Sequence, residues 1–315
     1  MLEVNVPLYR LKDDAHIARL CRELAIDIVH SCHTSADVAI ARKLQELPDA
    51  QRPRQVVTLH GGYETMSLPD LLVCLPSLEH VDHFTYAASK NLDNFPTRFL
   101  SKKPFTRIAN AVPPSNGDHR TRHRSDVGIP EDSLIVMLIS RAIPDKGWDA
   151  ARLAVEAARA RSQRDIHLIL IGDGRVYDQM KAEALPDWMH LLGFQADIRS
   201  WISIADLALL PTTFSGESFP LVLMDFLAMG VPAVASSIGE IPQMLSSNLG
   251  LAGYLLEITD GEIVPEQLAS LIGDFSLLET AVREELRARA LSAAKKFDFD
   301  AMVRAFEGVY ATLAR

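Results

Sequence analysis

Four charged side chains sit where their types and spacing could do chemistry. Arg141 and Lys146 share "SRAIPDKG" (140–147), directly after the apolar run "LIVMLI". Two cations beside one strand end can hold a diphosphate; on their own they read equally as a surface arginine and a helix-start lysine. Glu217 and Asp225 lie eight positions apart in "GESFPLVLMDFLAMG" (216–230). Asp225 has Leu221, Val222, Ala228 and Met229 as its helical neighbours, so its carboxylate points along an apolar face. An unpaired acid there costs several kcal/mol, roughly, so a partner inside the fold or a ligand must offset it. Each carboxylate has two acceptor oxygens, which suits a pair of neighbouring sugar hydroxyls. In "IGDGR" (171–175), Gly172 and Gly174 permit close backbone approach, and the alternative is a plain tight turn.

The elements around these residues set their positions. Short apolar runs recur at 26–30, 54–60, 82–89, 134–141, 167–174, 189–194, 207–212 and 231–236. Most are β-branched and unalternated, the pattern of strands covered on both faces. Helical patterns at 148–160 and 176–184 fall between them. This order predicts an α/β fold of doubly wound parallel sheets, with ligands outside the carboxyl ends of the strands. Residues 110–132 are rich in Pro, Asn, Ser and charge and read as a linker. The expected domains are 1–117 and 118–295, followed by a terminal segment, 296–315. A helix is expected to start near Phe219, with Ser218 as cap and Pro220 in its first turn. Its free N–H groups would form an anion site. Asp225 then lies about 7.5 Å along the axis from Pro220 at the standard rise.

The whole chain narrows the choices. It has 315 residues, 32 Lys plus Arg against 41 Asp plus Glu, and a net charge of −9. That sign argues against bulk nucleic-acid binding. The basic stretches at 98–107 and 119–124 read as solvated loops, with a phosphate or anionic surface as the alternative. Cys21, Cys32 and Cys74 lack disulfide or metal-site spacing and read as reduced residues of a cytosolic protein. No run is apolar enough to span a bilayer.

These motifs carry a resemblance. Residues 134–245 resemble the donor domain of the retaining glycosyltransferases often called family four, which have the GT-B fold. "SRAIPDKG" is similar to that family's strand-end Arg and Lys-Gly, which implies Arg141 and Lys146 on a donor diphosphate. "GESFPLVLMDFLAMGVPAVAS" is similar to its paired-acid motif, which implies Glu217 near the donor sugar, the Ser218–Phe219–Pro220 backbone near phosphate, and Asp225 on the ribose. Gly172 and Gly174 fall in "IGDG", in its usual place. In the first domain "IDIVHSCH" and "VVTLHGG" resemble two of the family's strands, and the second points to His60 at the reaction centre. The resemblance implies two Rossmann-like domains facing a cleft, a terminal helix at 296–315 that packs back toward the first, and transfer of a sugar, with retention, from a nucleotide-diphosphate-sugar donor to a glycan or lipid-linked hydroxyl. It implies no cofactor beyond that donor, no metal, and a cytoplasmic protein that can be peripheral at the inner face of a membrane.

Three departures accompany the resemblance. Asp225 stands where the family has a second glutamate, one methylene longer. Glu240 and Gln243 stand in "IGEIPQ" where the family often has Gly and Glu. The chain enters the family pattern about two βα units late, so the first domain is expected to be incomplete and "LEVNVPL" (2–8) to be its third strand. A second chain or segment completing that domain is one consequence; a minimal protein, or a start lying upstream, are the others. Two further readings of function stay open: a non-catalytic nucleotide-binding or partner subunit of a transferase, and a related GT-B phosphorylase or epimerase. His30 and His33 read as structural, and Asp298 and Asp300 in "FDFD" as caps of the terminal helix rather than metal ligands.

Overall fold

A computed structural model of the chain describes residues 14–113 and 122–314. It divides into two compact units, one of residues 1–109 with 303–315 and one of residues 110–302. The segment expected to be a strand at 2–8 lies outside the described residues.

The first unit runs α1 (Asp14–Glu23), β1 (Ile28–Ser31), α2 (Thr34–Gln45), β2 (Arg54–Leu59), α3 (Leu68–Leu78), β3 (His83–Tyr86), α4 (Thr97–Leu100) and β4 (Phe105–Arg107). The four strands pair in parallel in sequential order. Val56, Val57, Leu59 and Phe84 are buried at the centre of this sheet. Phe84, Phe95, Phe99 and Phe105 pack their rings into one cluster below it.

The second unit runs β5 (Leu134–Ile139), α5 (Trp148–Arg161), β6 (Ile166–Ile171), α6 (Arg175–Lys181), β7 (Met189–Gly193), α7 (Ile198–Ile202), β8 (Leu207–Leu210), α8 (Leu221–Ala228), β9 (Ala233–Ser236) and α9 (Ile241–Leu245). A hairpin of β10 (Ser246–Ser247) and β11 (Gly250–Leu251) follows, then β12 (Gly253–Leu256) and a second hairpin of β13 (Ile258–Thr259) and β14 (Glu262–Ile263). Helices α10 (Pro265–Ser276) and α11 (Thr280–Ala294) complete the unit, and α12 (Phe299–Leu313) ends the chain. The main sheet is parallel, in the order β12-β9-β8-β5-β6-β7. Every residue of β5 and β6 is buried, as their unalternated apolar sequences require. The order reverses between β5 and β8, and a crevice opens at the carboxyl ends of strands at such a switch point.

Two basic stretches prove to be anchors rather than free loops. Lys103 donates to the Val81 carbonyl at 3.0 Å, past the end of α3, and Arg107 to the Ala87 carbonyl at 3.3 Å. Arg124 binds both carboxylate oxygens of Asp206 at 3.0 Å; residues 119–121 of that stretch lie outside the described residues. Among the described residues no helix is long and apolar enough to cross a membrane.

Candidate functional site

A cavity of about 650 Å³ opens at the switch point of the second unit. Arg141 and Lys146 reach it from the loop after β5, Phe194 and Ile198 from the segment after β7, and Glu217, Pro220 and Asp225 from the loop after β8 and helix α8. Four of the charged and turn residues singled out in the sequence therefore line one surface with Pro220. Gly172, Gly174, Ser218 and Phe219 do not line it.

The loops are locked to one another by backbone bonds. The Asp145 carbonyl accepts from the Thr213 N–H at 2.8 Å and from the Thr212 hydroxyl at 3.1 Å. The buried Trp148 indole donates to the Ser140 hydroxyl at 2.9 Å. Gly172 and Gly174, with φ of 141° and 131°, explain the next layer. A Cβ on Gly172 would lie 1.9 Å from the Ser140 carbonyl oxygen, and one on Gly174 2.8 Å from that of Ala142. The close approach expected at these glycines is thus to the chain's own strand-end loop.

Lys146 pairs with Glu217, and each side chain is 12% exposed. The Lys146 ammonium also lies 4.8 Å from the centroid of the Phe214 ring, and the Arg141 guanidinium lies 5.4 Å from the same ring. Phe214 thus offers one aromatic ring to both cations. Among the described residues no group of three or more His, Cys, Asp or Glu is arranged to hold a metal ion.

Asp225 resolves the question its neighbours raise. The buried side of α8 is Leu223, Met224, Phe226 and Leu227, and Asp225 lies on the other side, where Leu221 is 58% exposed. Its Oδ1 accepts from Arg199 Nε at 2.8 Å. The acid therefore has a partner inside the fold and also lines the cavity. Arg199 was not foreseen. Its signal is that it is the one charge in the run "IRSWISI" (198–204), as Asp225 is in its own.

The start of α8 differs from expectation. Pro220, with ψ of 112°, is its N-cap, no side chain caps it, and the helix begins at Leu221. The extended proline keeps Phe219 out of the helix, and the Phe219 ring instead packs edge-on to Phe297 at 5.8 Å. The Ser218 carbonyl accepts from the Glu240 N–H at 2.9 Å, so that amide is already engaged.

In the first unit His60 follows the carboxyl end of β2, and desolvation holds its imidazole below the usual pKa range. His30 is structural. Its ring nitrogens bond the Tyr310 hydroxyl at 2.7 Å and the Thr58 hydroxyl at 2.6 Å. His33 is the N-cap of α2 and bonds Ser35. The Asp298 carboxylate accepts from the Ala301 N–H at 2.7 Å, the cap expected of it.

A doubly wound parallel sheet with cations and acids at its switch point is a frame suited to nucleotide binding. Residues 133–274 match the family model described as "Glycosyl transferases group 1". The chain is 28% identical over 329 residues to N-acetyl-alpha-D-glucosaminyl L-malate synthase of Bacillus anthracis, covering 98% of this chain and 81% of that protein. It is 26% identical to D-inositol 3-phosphate glycosyltransferase of Streptosporangium roseum, covering 91% of this chain but 64% of that one. The crystal structure of Anabaena HepE in complex with UDP superposes with a TM-score of 0.74 at 20% identity, covering 95% of this chain and 82% of that one. The second unit contains the group 1 glycosyltransferase domain, and the chain has the GT-B fold of its structural neighbours.

Proposed function

We propose that the protein moves a sugar from a nucleotide-diphosphate-sugar donor to a hydroxyl of a glycan or lipid-linked acceptor, with retention of configuration and without a metal. The observation that carries this reading is the convergence of Arg141, Lys146, Glu217 and Asp225 on one cavity at the switch point. Arg141 and Lys146 take the diphosphate, where negative charge develops as the bond from the sugar C1 to the phosphate oxygen breaks. Glu217, already paired with Lys146, accepts from hydroxyls of the transferred sugar. Asp225 accepts from the ribose. The acceptor oxygen bonds to C1 on the face the diphosphate leaves, and its proton passes to the departing phosphate oxygen. His60, whose imidazole desolvation keeps below the usual pKa range, helps place the sugar and the acceptor.

The reading draws support from the resemblance of the paired acids and the strand-end cations to the retaining family. HepE binding UDP supports a nucleotide partner. The same reading puts the protein in the cytoplasm, at the inner face of a membrane when the acceptor is lipid-linked. The test is release of nucleotide diphosphate from UDP-, GDP- and ADP-sugars with a panel of glycan and lipid-linked acceptors. Turnover with one donor, undiminished by EDTA and giving a product of retained anomeric configuration by NMR, is expected. Absence of both binding and turnover with all three nucleotide classes would sink the reading.

A further inference from the structure

Arg199 and Asp225 are each the only charge in an apolar stretch, and the fold joins them across 26 positions of sequence. Their side chains are 14% and 16% exposed. Asp225 lines the large cavity, whereas Arg199 lines a separate hollow of about 190 Å³ with Pro113, Met224 and Phe297. The guanidinium therefore stands behind the carboxylate as seen from the cavity. It is held there by a second bond, from Nη2 to the Pro113 carbonyl at 3.1 Å. Among the described residues Asp225 Oδ2 accepts no hydrogen bond.

An aspartate carboxylate turns easily about its last torsion, which is broad and two-fold. A planar guanidinium that binds one oxygen and is itself fixed at a second point removes that freedom. We infer that Arg199 is a positioning residue for nucleoside recognition: it holds Asp225 Oδ1 from behind and so turns Oδ2 toward a ribose hydroxyl in the cavity. The inference rests on the reading that Asp225 meets the donor ribose. The shorter acid gives it weight, because a carboxylate with less reach depends more on being aimed.

The test separates the two claims. Calorimetric titration with UDP, GDP and ADP identifies the nucleotide that binds most tightly, and its 2′-deoxy and 3′-deoxy counterparts are then titrated. The wild-type protein is expected to prefer the ribonucleotide over at least one of them by about tenfold, the discrimination of a single charge-assisted hydrogen bond. Asp225→Asn is expected to reduce that ratio. Arg199→Met is expected to reduce it as far, to about threefold or less, although Arg199 touches no ligand. A general loss of structure weakens all the nucleotides alike and leaves their ratio unmoved. The double variant Arg199→Met/Asp225→Asn, which leaves no unpaired charge, serves as the folded control; should Arg199→Met not fold, Arg199→Gln takes its place with the same outcomes. A full ratio in the Arg199 variant beside a reduced one in Asp225→Asn overturns the role of Arg199 alone. No nucleotide binding, no wild-type preference, or an Asp225→Asn protein with the preference intact overturns the ribose reading and this inference with it.

Discussion

Asp225 and Asp37 are both acids withdrawn from water, and the fold treats them differently. Asp225 has a guanidinium against it. Asp37, 1% exposed, has hydrogen bonds from the Tyr63 hydroxyl and the His33 N–H. Burial pushes its carboxyl above the usual range, and hydrogen bonds from Ser31, Tyr63 and His33 pull it back only in part. A carboxyl raised in the folded state binds its proton more tightly there than in the unfolded chain. Stability must then fall as pH rises from the ordinary carboxylate range through the folded value, and stay lower above it. Asp37→Asn keeps an acceptor for Tyr63 and removes the titration. Urea unfolding should show a flatter decline from pH 4 to pH 7 for the variant than for the wild type; an equally steep decline would exonerate Asp37. Lys146 poses the converse case, since its removal leaves Glu217 without a cation. Lys146→Met should lower kcat by about 100-fold or more, as loss of one transition-state donor does. It should also cost up to about 3 kcal/mol of stability through the stranded acid. The companion Lys146→Met/Glu217→Gln should regain stability in a denaturant titration and not regain turnover. Unchanged turnover in either variant would count against the proposed role.

The strands were legible wherever the chain is β-branched and unalternated, because a strand covered on both faces has no polar side to show. Most of the runs that became β1–β3 and β5–β9 satisfy that condition, while β7 (MHLLG) and β8 (LALL) show only the unbroken apolar run without β-branched residues. β4 was not legible, because three residues inside the basic "RFLSKKPFTR" carry little apolar signal and lie at a sheet edge. β12 and the two hairpins were missed for a related reason: they are two to four residues long and interrupted by glycine. Arg141, Lys146 and Glu217 could be read because each sits on the segment that follows a readable strand, and Asp225 because it is the one charge in an apolar helix. The Arg199–Asp225 pair could not, since only tertiary packing brings helices α7 and α8 together. Glycine is where local sequence and tertiary structure meet most sharply. Gly128 and Gly147 have nearly the same φ, 71° and 70°, but a Cβ on Gly128 meets nothing within 4 Å and one on Gly147 lies 2.0 Å from the Pro211 carbonyl oxygen. Gly128→Ala should cost only the left-handed backbone term, about 1–2 kcal/mol. Gly147→Ala must also push apart the loops after β5 and β8, and should cost more than about 3 kcal/mol. Equal midpoints for the two variants in chemical unfolding would show that the contact gives way cheaply.

At the scale of the molecule, an anionic ligand meets a chain of net charge −9. The general field opposes it, so recognition has to come from the local cations that line the cavity. Every residue lining that cavity belongs to the unit of residues 110–302. The first unit is held by a different set of contacts, among them the chain of bonds Tyr310–His30–Thr58–Thr85. A nucleoside diphosphate without its sugar should therefore stabilise one unit and not the other. At 100 times its dissociation constant a ligand adds about 2.7 kcal/mol to whatever folded structure binds it. Hydrogen exchange with saturating UDP, GDP or ADP, whichever binds, reads this residue by residue. Amides of β5, β8 and α8 should exchange up to about 100-fold more slowly, because the bound form must release its ligand before the unit opens. Amides of β2 and β3 should keep their rates. Equal protection in both sheets would mean that the two units open as one, and protection confined to the first would place the nucleotide elsewhere than at Arg141, Lys146 and Asp225.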